Sequence, residues 1–94
     1  RMDMGVVMIS RRNVGDFDSW KPRFESQAGV RAEHGATRVR RFQGLEDPNE
    51  TFVLIDWESE EQGRAFVAKK MVERPGLADE LDFFFARELP VLES

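Results

Sequence analysis

The stretch Thr51 to Phe66 (TFVLIDWESEEQGRAF) constrains the fold most, because in it a strand runs straight into a helix that carries its own start signal. Thr51 to Trp57 is rich in β-branched and aromatic residues, the composition of a strand. Side chains alternate faces along a strand, so Val53, Ile55 and Trp57 point one way and Phe52 and Leu54 the other. Both faces are apolar, which fits a strand covered on both sides. Ser59 follows with Gln62 three residues on, a capping-box spacing in which hydroxyl and amide each satisfy an orphan backbone N–H. Glu60 and Glu61 fall in the first turn, where the helix dipole favours negative charge. The spacing predicts a helix from Ser59 to about Arg74.

The other elements follow from this one. Met4 to Ser10 is an apolar run of strand length, and Arg11-Arg12-Asn13 is expected to leave it for a loop at Val14-Gly15 as a solvated strand end. Asp16 or Asp18 should cap a first helix ending at Gly35, which takes a left-handed conformation cheaply. Pro22 is tolerated only near a helix start. Gly29, inside this helix, costs roughly 1 kcal/mol against Ala and marks a candidate close approach to the sheet. Thr37 to Gly44 reads as a polar edge strand, with Arg38, Arg40 and Phe42 on one face and Val39, Arg41 and Gln43 on the other. Glu46 to Glu50 is turn chemistry leading by a hairpin into the Thr51 strand. Pro75-Gly76 breaks the chain, Leu77 to Leu81 adds a helical turn, and Asp82 to Leu89 is a last strand heavy in phenylalanine.

The order is β-α-β-β-α-β. Two right-handed crossovers place both helices on one face of a four-stranded antiparallel sheet, the ferredoxin-like α+β plan, with the first and third strands central. Two helices cover one face only, yet three strands are apolar on both. An edge strand carrying Phe83, Phe84 and Phe85 is an aggregation hazard if left bare. The economical cover is a second copy, so a homodimer is expected.

Composition bounds the functions open to such a chain. Its 94 residues, taken whole as 1–94, make a single domain with a modest core; residues 1–3, where Arg1 precedes Met2, are expected to be disordered or an expression remnant. A net charge of −4 gives no reason to expect nucleic acid or an anionic membrane as partner. The absence of cysteine excludes disulfides and thiolate chemistry. With no spanning stretch of about 18 apolar residues and no signal-peptide pattern, a cytoplasmic location is expected by default. No clustered metal ligands, EF-hand, P-loop, dinucleotide fingerprint or nucleophile elbow occurs, and the third strand lacks an RNA-binding signature. His34, beside Gly35 at a helix end, suits the dipole there.

The pattern Val14, Asp16-Phe17-Asp18-Ser19-Trp20, Phe24, Arg31, Gly35, the Pro-containing turn, Phe52-Val53-Leu54, Trp57, Glu61 and Phe66 resembles the dimeric α+β barrel superfamily. More narrowly it is similar to small members of the antibiotic biosynthesis monooxygenase-like group. The resemblance implies that two sheets close into a barrel across a dimer, with ligands between each sheet and its helices. Haem-degrading members use an asparagine on the first strand and a tryptophan and a histidine on the second helix. Here Phe66 stands near the tryptophan position, no histidine follows it, and Asn13 is expected past the first strand. Quinone-forming members lean on tyrosine, which this chain lacks. Neither set of residues carries over, and no cofactor is expected.

What remains is a pocket. On the first helix Trp20, Phe24, Gln27 and Arg31 recur at i, i+4, i+7 and i+11, so one side carries an apolar stripe with two polar heads. Together with Phe66 they are the candidate ligand-binding residues, for a small apolar or aromatic carbonyl compound oriented by Gln27 and Arg31. Arg31 suits a carboxylate or enolate. The competing assignment pairs Arg31 with Asp56 or Glu58, has Gln27 bond the backbone, and leaves Trp57 and Phe66 as core. On that assignment the chain is a non-catalytic dimeric interaction module; a cofactor-independent monooxygenase-like enzyme is the third alternative.

Overall fold

The structure, a computed structural model, describes residues 5–94. Met4, expected to open the first strand, and residues 1–3 lie outside the described residues. Strands β1 (Val6–Asn13), β2 (Ala36–Gln43), β3 (Glu50–Trp57) and β4 (Leu81–Arg87) form one antiparallel sheet in the order β2-β3-β1-β4. Helices α1 (Phe17–Ser26), α2 (Ala28–Glu33), α3 (Glu60–Glu73) and the single turn α4 (Leu77–Glu80) complete the chain. This is the expected ferredoxin-like α+β arrangement, with β1 and β3 central and β2 and β4 at the edges.

Pleating sorts the side chains as the sequence pattern predicts. Register sets Met8 beside Ile55 and Phe85, and Ser10 beside Val53 and Phe83; these sit on the helix-covered face with Thr51, Trp57 and Val39. The core gathers there: Val6, Met8, Trp20, Val53, Ile55, Trp57, Phe66 and Val67 are buried against one another. On the opposite face, rows run Phe84–Ile9–Leu54–Arg40 and Asp82–Arg11–Phe52–Phe42. That face is open, with Phe84 67 % exposed, Phe42 48 % and Ile9 40 %.

The two long helices start as their caps dictate. Asp16 accepts from the Asp18 N–H at 3.2 Å and from the Ser19 hydroxyl at 2.7 Å. Ser59 accepts from the Gln62 N–H at 3.2 Å, the hydroxyl half of the expected box. The Gln62 side chain is engaged otherwise, accepting from the Ser59 hydroxyl and donating to Glu58 at 3.4 Å. Gly35 closes α2 at φ 101°, a left-handed value, with its N–H on Ala32 at 3.0 Å.

Several boundaries differ from expectation, each for a local reason. β1 continues through Arg11, Arg12 and Asn13, because Arg11 pairs across the sheet with Glu50 and Arg12 bonds Glu80 at 3.0 Å, so neither charge has to leave the strand. Asn13 therefore belongs to β1, where its side chain ties down the turns through Asp47 and the Gly15 N–H. The expected first helix is two helices, broken at Gln27 (φ −92°, ψ 8°). Pro22 sits well inside α1 rather than at its start. Gly29 faces open space; the glycine of close approach is Gly63 on α3, where a Cβ would stand 2.6 Å from the Phe85 ring and 3.1 Å from Trp57.

Candidate functional site

The break at Gln27 builds the site. In an unbroken helix the Phe24 carbonyl would accept from the N–H four residues on. Here it accepts instead from the Gln27 N–H at 3.2 Å and from Arg31 Nη1 at 2.9 Å. Arg31 thus folds back along the inner side of the helix pair, its guanidinium 3.9 Å over the Phe24 ring. Phe24 stacks in turn on Trp20 at 4.9 Å, and Trp20 on Phe17 at 5.7 Å. α1 consequently leans toward β2, where Arg41 lies 5.8 Å from the Trp20 ring. α3 is drawn down elsewhere, by Gly63 onto Trp57 and Phe85 and by Phe66 against Trp57 at 5.3 Å.

Between these helices, above the two central strands, lies a cavity of about 550 Å³. Met8, Ser10, Thr51, Val53 and Ile55 line it from the sheet, Trp20, Phe24, Gln27 and Arg31 from α1 and α2, and Phe66, Val67 and Lys70 from α3. All five residues singled out in the sequence (Trp20, Phe24, Gln27, Arg31, Phe66) meet in this one cavity. The volume lies within the range of small-molecule pockets, and the mixture of apolar wall and few polar heads is of the same kind.

Arg31 is the unusual member. It is only 6 % exposed, yet it has no carboxylate partner among the described residues. The pairing with Asp56 or Glu58 is absent, because Asp56 points to the open face of the sheet and Glu58 engages Gln62. Arg31 Nε is buried with no hydrogen-bond partner. Burial pulls its pKa below the ordinary arginine value, and repulsion from Arg41 adds to that. Gln27 bonds through its backbone, and its side chain borders the cavity.

The other polar lining groups are settled. Ser10 donates to the Val53 carbonyl at 3.1 Å and Thr51 to the Arg12 carbonyl at 3.0 Å, so neither hydroxyl has an activating base. His34 holds its own helix end, Nδ1 lying 2.8 Å from the Val30 carbonyl and the ring edge against Phe66 at 5.4 Å. Among the described residues no group of three or more His, Cys, Asp or Glu side chains is placed to hold a metal ion. Among the described residues no aspartate, glutamate or histidine lines the cavity. Such a lining can orient an apolar molecule and stabilise negative charge on it; it does not supply a general base. Sequence reasoning missed Arg12, Arg23, Lys70 and Arg74, which also border the cavity. They lie on separate elements, and only Lys70 and Arg74, four apart and in register with Phe66 on α3, left a trace in the spacing.

No family model and no curated protein sequence matches the chain. Solved structures do. SnoaB, a cofactor-independent oxygenase from Streptomyces nogalater, superimposes with a TM-score of 0.73 at 15 % identity, over 95 % of this chain and 97 % of that one. A Pseudomonas aeruginosa protein gives 0.69 at 14 %, over 96 % and 99 %. An antibiotic biosynthesis monooxygenase gives 0.66 at 12 %, over 90 % and 99 %. The backbone is therefore similar to that of SnoaB and of antibiotic biosynthesis monooxygenase structures. At these identities the likeness is one of backbone. Against the haem-degrading pattern within the group, Asn13 does lie on β1, but its amide is spent on Asp47 and Gly15, and α3 carries no histidine.

Proposed function

We propose that this chain is a homodimeric α+β barrel protein that binds a small apolar or aromatic carbonyl compound between its sheet and its helices. The observation that carries the reading is the roughly 550 Å³ cavity in which Trp20, Phe24, Gln27, Arg31 and Phe66 converge, with a buried guanidinium that lacks a carboxylate partner among the described residues. A filled core with Arg31 in an ion pair would have favoured an interaction module; the geometry supports the pocket instead. A neutral aromatic ketone such as 1-tetralone tests the reading. Its binding should shift the NMR signals of Val53, Ile55 and Phe66 together and raise the melting temperature, and Arg31→Ala should reduce that rise. Shifts scattered elsewhere, or none, overturn it.

The homodimer is supported by the open sheet face. Phe84, Ile9, Leu54, Phe52 and Phe42 make one contiguous apolar surface, of the sort that marks an interface. Its edges carry opposite charge, Arg38 and Arg40 on β2 against Asp82 on β4. A second copy turned so that one β2 edge overlies the other's β4 edge covers the apolar rows and pairs those charges. Light scattering should return twice the mass of 10.9 kDa, and Phe84→Asp should halve it. A wild-type monomer at high concentration overturns the dimer.

A cofactor-independent oxygenase is the second reading, prompted by the backbone likeness to SnoaB. Oxygen uptake with an aromatic hydroquinone in metal-free buffer, abolished when the cavity is filled, distinguishes it from binding alone.

A further inference from the structure

Among the described residues, the ionisable side chains that line the cavity share one sign. They are Arg12, Arg23, Arg31, Lys70 and Arg74, although the chain as a whole carries a net charge of −4. Arg12 is paired with Glu80 at 3.0 Å, and Lys70 lies 3.5 Å from Glu73. Arg31 and Arg74 have no carboxylate partner among the described residues, while Arg23 interacts with the Asp16 carboxylate. Of these only Arg31 is buried.

We propose that the cavity is selective for an anion, an aromatic or similarly apolar carboxylate whose ring lies among Trp20, Phe66, Val53 and Ile55 and whose charge is met by Arg31. The inference rests on the pocket reading above and adds to it the chemical class of the ligand. A buried cation without a counter-charge is costly to the fold, and an anion arriving with the ligand removes that cost. The guanidinium spends Nη1 on the Phe24 carbonyl, and Nε, closed off from solvent, has no acceptor, so Nη2 is the group left to face the cavity. A carboxylate oxygen can take a charge-assisted bond from it. Arg74, with no carboxylate partner among the described residues, adds positive potential at the rim that draws anions in and disfavours cations, while Arg23 and Lys70 are offset by Asp16 and Glu73. One buried cation among apolar walls suits a monoanion better than a phosphate dianion, which needs several donors at once.

Three probes of one shape separate the outcomes: 2-naphthoate, 2-naphthamide and 2-naphthyl phosphate, titrated calorimetrically into the full chain. The wild type should take naphthoate about tenfold or more tighter than the amide, and the phosphate no tighter than naphthoate. In Arg31→Gln the acid and amide affinities should converge to within about twofold with amide binding retained, and Arg31→Lys should restore part of the difference. Arg74→Gln, at an exposed position, should weaken naphthoate a few-fold while sparing the amide, so the charge contribution remains testable if Arg31→Gln does not fold. Equal affinity for acid and amide in the wild type overturns the anion selectivity and leaves the pocket standing. Failure of both to bind removes the pocket and the inference together. Selectivity that survives in folded Arg31→Gln overturns the role given to Arg31, and a preference for the phosphate overturns the carboxylate class.

Discussion

Replacing Arg31 with methionine separates a residue kept for the fold from one kept for a ligand. The side chain loses its Nη1 bond to the Phe24 carbonyl, a charged hydrogen bond of about 1.5–3 kcal/mol. The low end applies, because that carbonyl keeps the Gln27 N–H at 3.2 Å. Stacking of the guanidinium on Phe24 adds about 0.5–2 kcal/mol to the loss. Against this, the unpartnered Nε disappears, worth about 1–3 kcal/mol. A methionine sulfur on the same ring returns about 0.3–1.5 kcal/mol. The desolvated charge is also relieved, in the direction its lowered pKa indicates. Losses and gains nearly cancel. Urea unfolding of Arg31→Met should therefore lie within about 1 kcal/mol of wild type, or above it, while naphthoate binding falls. Removing one partner of a buried ion pair typically costs about 3–5 kcal/mol. A loss of that size would refute the reasoning, because it would mean that Arg31 is held by a counter-charge within the fold.

Ser59→Ala removes the α3 cap and should cost about 1 kcal/mol, lowering the melting temperature by roughly 4–8 °C in a chain of this length. Gly35→Ala should cost about 1–2 kcal/mol by circular dichroism melts, because φ 101° penalises any Cβ and the new methyl meets the Gln62 amide 2.6 Å away. Asp16 and Glu25 titrate below the usual carboxylate range in the folded chain, Asp16 chiefly through Ser19 and Glu25 through Lys21 and Arg41. A depressed folded pKa contributes stability above the unfolded value, near 4, that is lost as pH falls through the folded one. Melting temperature should thus decline below about pH 4, weakly, since both groups are exposed; an increase on acidification would contradict the assignment.

How much of this was legible depended on whether a property was local. The strand Thr51 to Trp57 announced its two faces, and the structure buries Val53, Ile55 and Trp57 as the alternation required. The Ser59 cap and Gly35 were readable because a cap is a contact between near neighbours. The Gln27 break was not, since it depends on Arg31 reaching back seven residues to compete for a backbone carbonyl. β1 was cut short because Arg11 and Arg12 look like a strand end until Glu50 and Glu80, some 39 and 68 residues away, are brought beside them. Gly29 and Gly63 were indistinguishable as letters; only the Phe85 and Trp57 rings give Gly63 its purpose. In the candidate site, the helical stripe from Trp20 to Arg31 was visible at its spacing, whereas the cationic rim is assembled from β1, α1 and the end of α3 and has no linear signature.

The chain leaves two kinds of surface unfinished, and they call for different partners. The outer sheet face is apolar in its centre, with charges of opposite sign at its edges, which is what the proposed second copy would cover. The cavity cannot be satisfied that way. Its walls are apolar, but its charged groups among the described residues are all positive, and drawing the α1–α2 pair and α3 together would bring Arg23 and Arg31 toward Lys70 and Arg74. Like charges brought together repel, and most strongly at Arg31, the one buried away from water. On the proposed anion selectivity, the cations that would hold the anion therefore also resist closure of the gap in its absence. An arginine-to-glutamine change on this rim should do two things at once, weaken anion binding and let the helices close, and the second is readable as slower amide exchange in α1 and α3 of the free protein. Unchanged exchange would show that packing alone, through the Trp20 stack on one side and Gly63 on the other, holds the helices apart.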